Sequence, residues 1–123
     1  MNILLVDDNP QLLYVQRELL GRLGHQVTLA TDGREALRWA ELEKFDVVIS
    51  DIVMPNQEGL ETIKLLRRMH PGLRIVAMSG GGSTDSGLYL DMALKMGADY
   101  TLSKPFSEKE LMAALIGGPE PPA

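Results

Sequence analysis

Short continuous apolar runs alternate along this chain with stretches in which apolar residues recur every three or four positions. Ile3-Leu4-Leu5-Val6 is an unbroken apolar block that ends in two acids, the pattern of a strand buried on both faces. Leu12, Val15, Leu19, Leu20 and Leu23 follow at helical spacing, and Gly24 supplies a stop. Val27 to Ala30 reads as a second strand. Asp32 with Glu35 forms a capping pair for a helix that turns Ala36, Leu37 and Ala40 inward. Val47-Val48-Ile49 is a third strand ending at Ser50-Asp51. Glu58 to Met69 places Gly59, Thr62, Ile63 and Leu66 on one helical face, and His70-Pro71-Gly72 breaks it. Leu73 to Met78 gives a fourth strand. A fourth helix is expected from about Leu88 to Met96, because Ser86-Gly87 is a poor start, and Gly97 closes it. Tyr100-Thr101-Leu102 is a short fifth strand. Ser107 with Glu110 is a capping box for a last short helix carrying Leu111, Ala114 and Leu115.

Five strands alternating with five helices predict an α/β, doubly wound fold, a parallel sheet covered on both faces. The domain is expected to span residues 1–116. Residues 117–123, rich in glycine and proline, read as a tail or the start of a linker.

Composition narrows the function classes. The length of 123 residues suits one core that needs no staple. With no cysteine, disulfide frameworks, thiolate zinc sites and cysteine nucleophiles are excluded together. The formal charge of −5 argues against this domain gripping nucleic acid or an anionic membrane. The absence of a long apolar run and of a secretory signal pattern predicts a soluble, cytoplasmic protein.

In a doubly wound sheet, ligands bind beyond the carboxyl ends of the strands. This chain places Asp7 and Asp8, Asp51, Ser79 and Lys104 at those ends. An acid after a strand is most often a turn residue or helix cap; it is the joint placement that points to a site. Three close carboxylates repel one another unless a cation intervenes, and Mg²⁺ favours carboxylates, water and phosphoryl oxygens. The amine and the hydroxyl suit further phosphoryl contacts. One carboxylate is then left to act as a nucleophile toward phosphorus. Asp51, alone at the end of an apolar strand, is the better candidate than the adjacent pair.

Asp7-Asp8 after the first strand, Asp51-Ile52-Val53-Met54-Pro55 with Gly59, Ser79-Gly80, and Lys104-Pro105-Phe106 together resemble the receiver domain of two-component response regulators. The resemblance covers residues 2–116 in order. It implies a flavodoxin-like (βα)5 three-layer sandwich with strand order 2-1-3-4-5, and Asp51 as phospho-acceptor. Asp8, Asp51 and the backbone carbonyl of Val53 would bind Mg²⁺, or Mn²⁺, directly, with Asp7 acting mainly through water. Ser79 would hydrogen-bond the phosphoryl group, Lys104 would pair with it, and the Lys104–Pro105 bond would be cis. It further implies a phospho-accepting switch rather than a turnover enzyme, one that promotes its own phosphoryl uptake and autodephosphorylation. The donor would be a sensor histidine kinase or a histidine phosphotransfer protein. The target would be an output domain or protein partner, and a phosphorylation-dependent homodimer stays open.

The chain departs from that pattern in three places. Thr101 stands three residues before the lysine, where the family usually has an aromatic, and Tyr100 points to the other sheet face. The loop after Ser79 is long and glycine-rich, and the last helix is short. These features predict a switch in which phosphoryl contacts order residues 80–88 and reposition the fourth helix. Two rival readings fit the residues less well. A phosphatase using an aspartyl-phosphate would place a second acid two residues after the nucleophile, where this chain has Val53. A binding module that has lost phosphorylation is opposed by the intact set of five polar positions. Gly80-Gly81-Gly82 lacks the spacing of a phosphate-cradling loop. His25 and His70 read as solvated turn residues.

Overall fold

The computed structural model describes residues 1–52, 58–80 and 86–116. Among these residues strands and helices alternate: β1 (Asn2–Val6), α1 (Pro10–Arg22), β2 (Gln26–Ala30), α2 (Gly33–Leu42), β3 (Val47–Asp51), α3 (Glu58–Met69), β4 (Arg74–Ser79), α4 (Ser86–Met96), β5 (Tyr100–Ser103) and α5 (Glu108–Ile116). The strands form one parallel sheet in the order β2-β1-β3-β4-β5, as the resemblance implied. A parallel sheet needs crossovers, and the helices supply them on both faces.

Alternation along each strand sorts the core into two layers. Leu4, Val6, Val48, Ile52, Ile75 and Ala77 face α2, α3 and α4, which contribute Ala36, Ala40, Leu60, Ile63, Leu66, Leu90 and Ala93. Ile3, Leu5, Val47, Ile49, Val76, Met78 and Leu102 face α1 and α5, which contribute Leu13, Leu20, Leu111, Ala114 and Leu115. Tyr100 lies in this second layer, on the opposite face from Thr101, as strand alternation required.

Two expectations need correction. Helix α4 begins at Ser86, two residues before the expected start, so Ser86-Gly87 is accommodated within the first turn. In α1 the buried positions are Leu13, Gln16 and Leu20, whereas Val15 is 66% exposed. Leu12, Leu13, Val15, Leu19 and Leu20 form two overlapping helical stripes, and the sheet takes the one rotated by a residue from that expected. Helix α1 starts cleanly: Asn9 accepts hydrogen bonds from the backbone N–H groups of Gln11 and Leu12, and Pro10 occupies the first helical turn. Gly24, at φ +93°, closes it in the left-handed region. The Ser107–Glu110 capping box is formed in both directions, each bond 3.1 Å. The expected tail at 117–123 lies outside the described residues, as does most of the loop assigned an ordering role. No helix among the described residues is long and apolar enough to cross a membrane.

Candidate functional site

The strand order reverses at β1, which pairs with β2 on one side and β3 on the other. Backbones diverge beyond that point and open a crevice at the carboxyl ends of β1 and β3. Asp7 follows β1 and Asp51 ends β3, so the crevice is flanked by acids. One carboxylate oxygen each from Asp7, Asp8 and Asp51 lie within 4.8 Å of one another. Asp7 and Asp51 are buried, at 1% and 6% exposure, while Asp8 is open to solvent.

Each buried acid is held from several directions. The Asp7 backbone N–H donates to the Ala30 carbonyl at 3.1 Å, extending the β1–β2 pairing by one residue. Its Oδ1 accepts from the Asn9 N–H at 3.0 Å, a turn that swings the chain into α1. After Asp51, the Ile52 N–H donates to the Met78 carbonyl at 3.0 Å, which ties the exit of β3 to β4. The Ser50 hydroxyl donates to the Asp51 carbonyl at 3.1 Å.

Lys104 reaches in from the end of β5. Its Nζ lies 2.7 Å from Asp7 Oδ2 and 3.1 Å from Asp51 Oδ2. Burial works to lower the Lys104 pKa. The Asp7 hydrogen bond, the charges of Asp51 and Asp7, and the Asp51 hydrogen bond outweigh it, so the pKa is raised above the ordinary 10.5. The ammonium is therefore held charged at neutral pH. The Lys104 N–H donates to the Ser79 carbonyl at 2.8 Å, which brings Ser79 and Lys104 to the same rim, and the Lys104–Pro105 bond is cis. Ser79 is fully buried.

Charge decides what this arrangement favours. Like charges 4–5 Å apart repel by about 3–4 kcal/mol per pair at an effective dielectric near 20. One ammonium against three carboxylates leaves two negative charges unbalanced. The residues present thus fit a divalent cation with oxygen ligands, and a pocket of this donor set is an acidic metal site. Of the residues expected at the site, Asp7, Asp8, Asp51, Ser79 and Lys104 all converge on the carboxyl-end rim. Val53, whose carbonyl was expected to add a ligand, lies outside the described residues.

Sequence reasoning missed the flank of this site. Leu12, Val15 and Leu19 of α1, with Pro105 and Phe106 after β5, line a shallow apolar groove to which Lys104 also contributes. Gln16 lies in its floor with Oε1 buried and, among the described residues, unpartnered. The misassigned stripe of α1 was the available signal, since it left apolar residues with no core to fill. The two histidines also have partners: His70 Nε2 donates to the Ala40 carbonyl at 2.9 Å, and His25 Nδ1 lies 3.1 Å from the Met1 amine.

Comparison with known proteins gives one answer by three routes. The family model described as the response regulator receiver domain matches residues 3–116. The transcriptional regulatory protein CpxR of Escherichia coli is 37% identical over 113 residues, covering 92% of this chain and 47% of its own length. The alkaline phosphatase synthesis transcriptional regulatory protein PhoP of Bacillus subtilis is 37% identical over 114 residues, covering 90% and 45%. The chain thus spans about half the length of these relatives. Among solved structures, a response regulator from Burkholderia pseudomallei with a phosphorylated aspartic acid, calcium ion and citrate superposes with a TM-score of 0.81. It is 34% identical, and the match covers 93% of this chain and 65% of that one. The signal receiver domain of an HD domain-containing protein from Pseudomonas fluorescens gives a TM-score of 0.83 at 27% identity, covering 93% and 90%. With an acid-lined crevice at the strand reversal and a match over nearly its whole length, the chain belongs to the response regulator receiver domain family, the switch modules of two-component phosphorelay signalling.

Proposed function

We propose that Asp51 is the phospho-acceptor and that Mg²⁺ is the cation its reaction uses. The observation that carries this reading is the position of Asp51: buried at the end of β3, beside two further carboxylates, with the Lys104 ammonium 3.1 Å away. In the transfer, an Asp51 carboxylate oxygen forms a bond to phosphorus. The P–N bond of a phosphohistidine donor breaks, and its electron pair returns to the imidazole nitrogen. Asp8 and Asp51 are the direct metal ligands in this reading, with Asp7 acting through water and the Val53 carbonyl as a further ligand. The bound cation would supply charge neutralisation to the transferring phosphoryl oxygens. Lys104 is poised to exchange its carboxylate partners for a phosphoryl oxygen, and Ser79 to donate to a second one.

The donor on this reading is a sensor histidine kinase or a histidine phosphotransfer protein. The apolar groove of Leu12, Val15, Leu19 and Phe106 supports placing it there, since Lys104 of the site is one of the residues that line it. The receiver then acts as a cytoplasmic switch for an output domain or protein partner and loses its phosphoryl group by its own hydrolysis. Incubation with acetyl phosphate and Mg²⁺ tests the assignment. The protein should gain one base-labile phosphoryl group, and Asp51→Asn should gain none while keeping its fold. Stoichiometric labelling of Asp51→Asn would move the acceptor elsewhere.

A further inference from the structure

Ile52 follows β3, and Gly59 is buried in the first turn of α3. A Cβ built on Gly59 would fall against the backbone of the two residues at the exit of β3. It would lie nearest Ile52 Cα, and 2.7 and 2.8 Å from the Ile52 and Asp51 carbonyl oxygens. All three are main-chain atoms, so no side-chain rotation can relieve the overlap. The segment is also held from two other sides, by the Ile52 N–H on the Met78 carbonyl and by the Ser50 hydroxyl on the Asp51 carbonyl. The exit of β3 therefore sits in a three-walled slot formed by β4, the Ser50 hydroxyl and the bare α-carbon of Gly59.

We infer that Gly59 is a positioning residue for phosphoryl acceptance: its missing side chain lets α3 press on the Asp51 and Ile52 peptides and so sets where the Asp51 carboxylate stands relative to Asp7, Asp8 and Lys104. This rests on the reading of Asp51 as acceptor. A side chain at position 59 must push α3 away or push the β3 exit toward the crevice. Either movement displaces the carboxylate by a fraction of an ångström to an ångström, and reactions that depend on positioning lose up to roughly a hundredfold for displacements of that size. Other glycines provide the contrast. Gly21 in α1 has nothing within 4 Å of its added Cβ, so a side chain there should leave the site untouched.

The test compares wild type, Gly59→Ala, Ser50→Ala and Gly21→Ala. Each is measured for folding by circular dichroism, for Mg²⁺ affinity by calorimetry, and for the Asp51 labelling rate from acetyl phosphate at saturating Mg²⁺. Gly59→Ala is expected to remain folded, bind Mg²⁺ about tenfold more weakly and label roughly ten- to a hundredfold more slowly. Gly21→Ala should match wild type. A merely structural glycine would lower stability while leaving the Mg²⁺ affinity and saturated rate of the folded protein unchanged, and that result overturns the inference. Should Gly59→Ala fail to fold, Ser50→Ala decides, because it frees the same carbonyl without adding an atom. A smaller loss in the same direction supports the slot, and wild-type values overturn it. Labelling of wild type at another residue would overturn the acceptor reading instead, and the Mg²⁺ affinities would still decide for Gly59.

Discussion

Two charged clusters sit at opposite ends of the same sheet and are built on opposite principles. At the amino end, Arg67 of α3 directs its guanidinium into a cage of acceptors. Nε and Nη2 donate to the Gly97 carbonyl at 3.0 and 2.8 Å, and Nη1 to the Pro71 and Leu73 carbonyls at 2.8 and 2.7 Å. Nη2 also donates to Asp99 Oδ2 at 2.6 Å, and the same oxygen accepts from the Ile75 N–H at 2.8 Å. All five donor positions of a guanidinium are matched in this way. At the carboxyl end, one lysine is shared between two buried carboxylates and a third stands nearby, so negative charge is left over. A satisfied cluster ties elements together and has nothing further to bind. One with surplus charge of one sign is costly until a counter-charge arrives, which is the property a receiving site needs.

The comparison breaks most visibly at Arg67. Arg67→Ala would take its donors from three carbonyls, of Pro71, Leu73 and Gly97, and leave Asp99 with the Ile75 N–H, loosening the ties among α3, the α3–β4 turn, α4 and the approach to β5. A loss on the order of 2–4 kcal/mol is expected in urea unfolding, discounted for the partial exposure of the Arg67–Asp99 pair. Labelling of the folded protein should stay near wild type. A large labelling defect without a stability defect would mean the amino-end cluster is not merely a tie.

The acidic end is sharpened by removing one carboxylate at a time. Asp8→Ala should weaken Mg²⁺ binding by about tenfold, or about 1.4 kcal/mol. Asp7→Ala should weaken it less, because Asp7 is already engaged by Lys104 and the Asn9 N–H. Calorimetric titration of both variants ranks them, and the reverse order would reassign the direct ligand.

The smallest expected effect belongs to Lys104 and separates its two tasks. Lys104→Met should raise Mg²⁺ affinity a few-fold, since the amine competes with a cation for the same two carboxylates, yet slow labelling through loss of the phosphoryl partner. Its pH signature follows from the raised pKa. A lysine that binds its proton more tightly in the folded state stabilises fully below its unfolded value of 10.5, and that contribution disappears as pH rises through the higher folded value. Metal-free wild type should therefore lose stability more steeply than Lys104→Met only above about pH 10.5, with the two parallel near neutrality. Parallel curves throughout the alkaline range would show that the pair contributes nothing to folding.

How much of this was legible in the sequence follows from the range of each interaction. The strands were legible because blocks such as Ile3–Val6 and Val47–Ile49 are apolar without interruption, and only a doubly covered sheet buries such runs. The rim was legible because topology alone sends every strand's last residue to one end. The face of α1 was not, since Leu12, Val15 and Leu19 compete with Leu13, Gln16 and Leu20 at the same period, and only packing against β1 and β2 chooses. Arg67 and Asp99 were invisible because they are 32 residues apart and neither belongs to a local pattern. The slot around Gly59 was half visible: the glycine stood out beside the Asp51 run, but nothing in the chain said that main-chain atoms crowd its α-carbon.

The sheet order also has a consequence for the newborn chain. The central strand β1 is made first, but its pairing with β3 must wait until Val47 to Ser50 have been synthesised. Contacts of such long sequence separation slow the folding search and leave strand edges exposed meanwhile. The site is later still: the ion pair between Asp7 and Lys104 joins residues 97 positions apart, one following the first strand and the other the last. A chain interrupted anywhere before Lys104 lacks half of that pair. The charge balance of the acidic rim is therefore among the last features of the sheet to form, because it waits for the residue that follows β5.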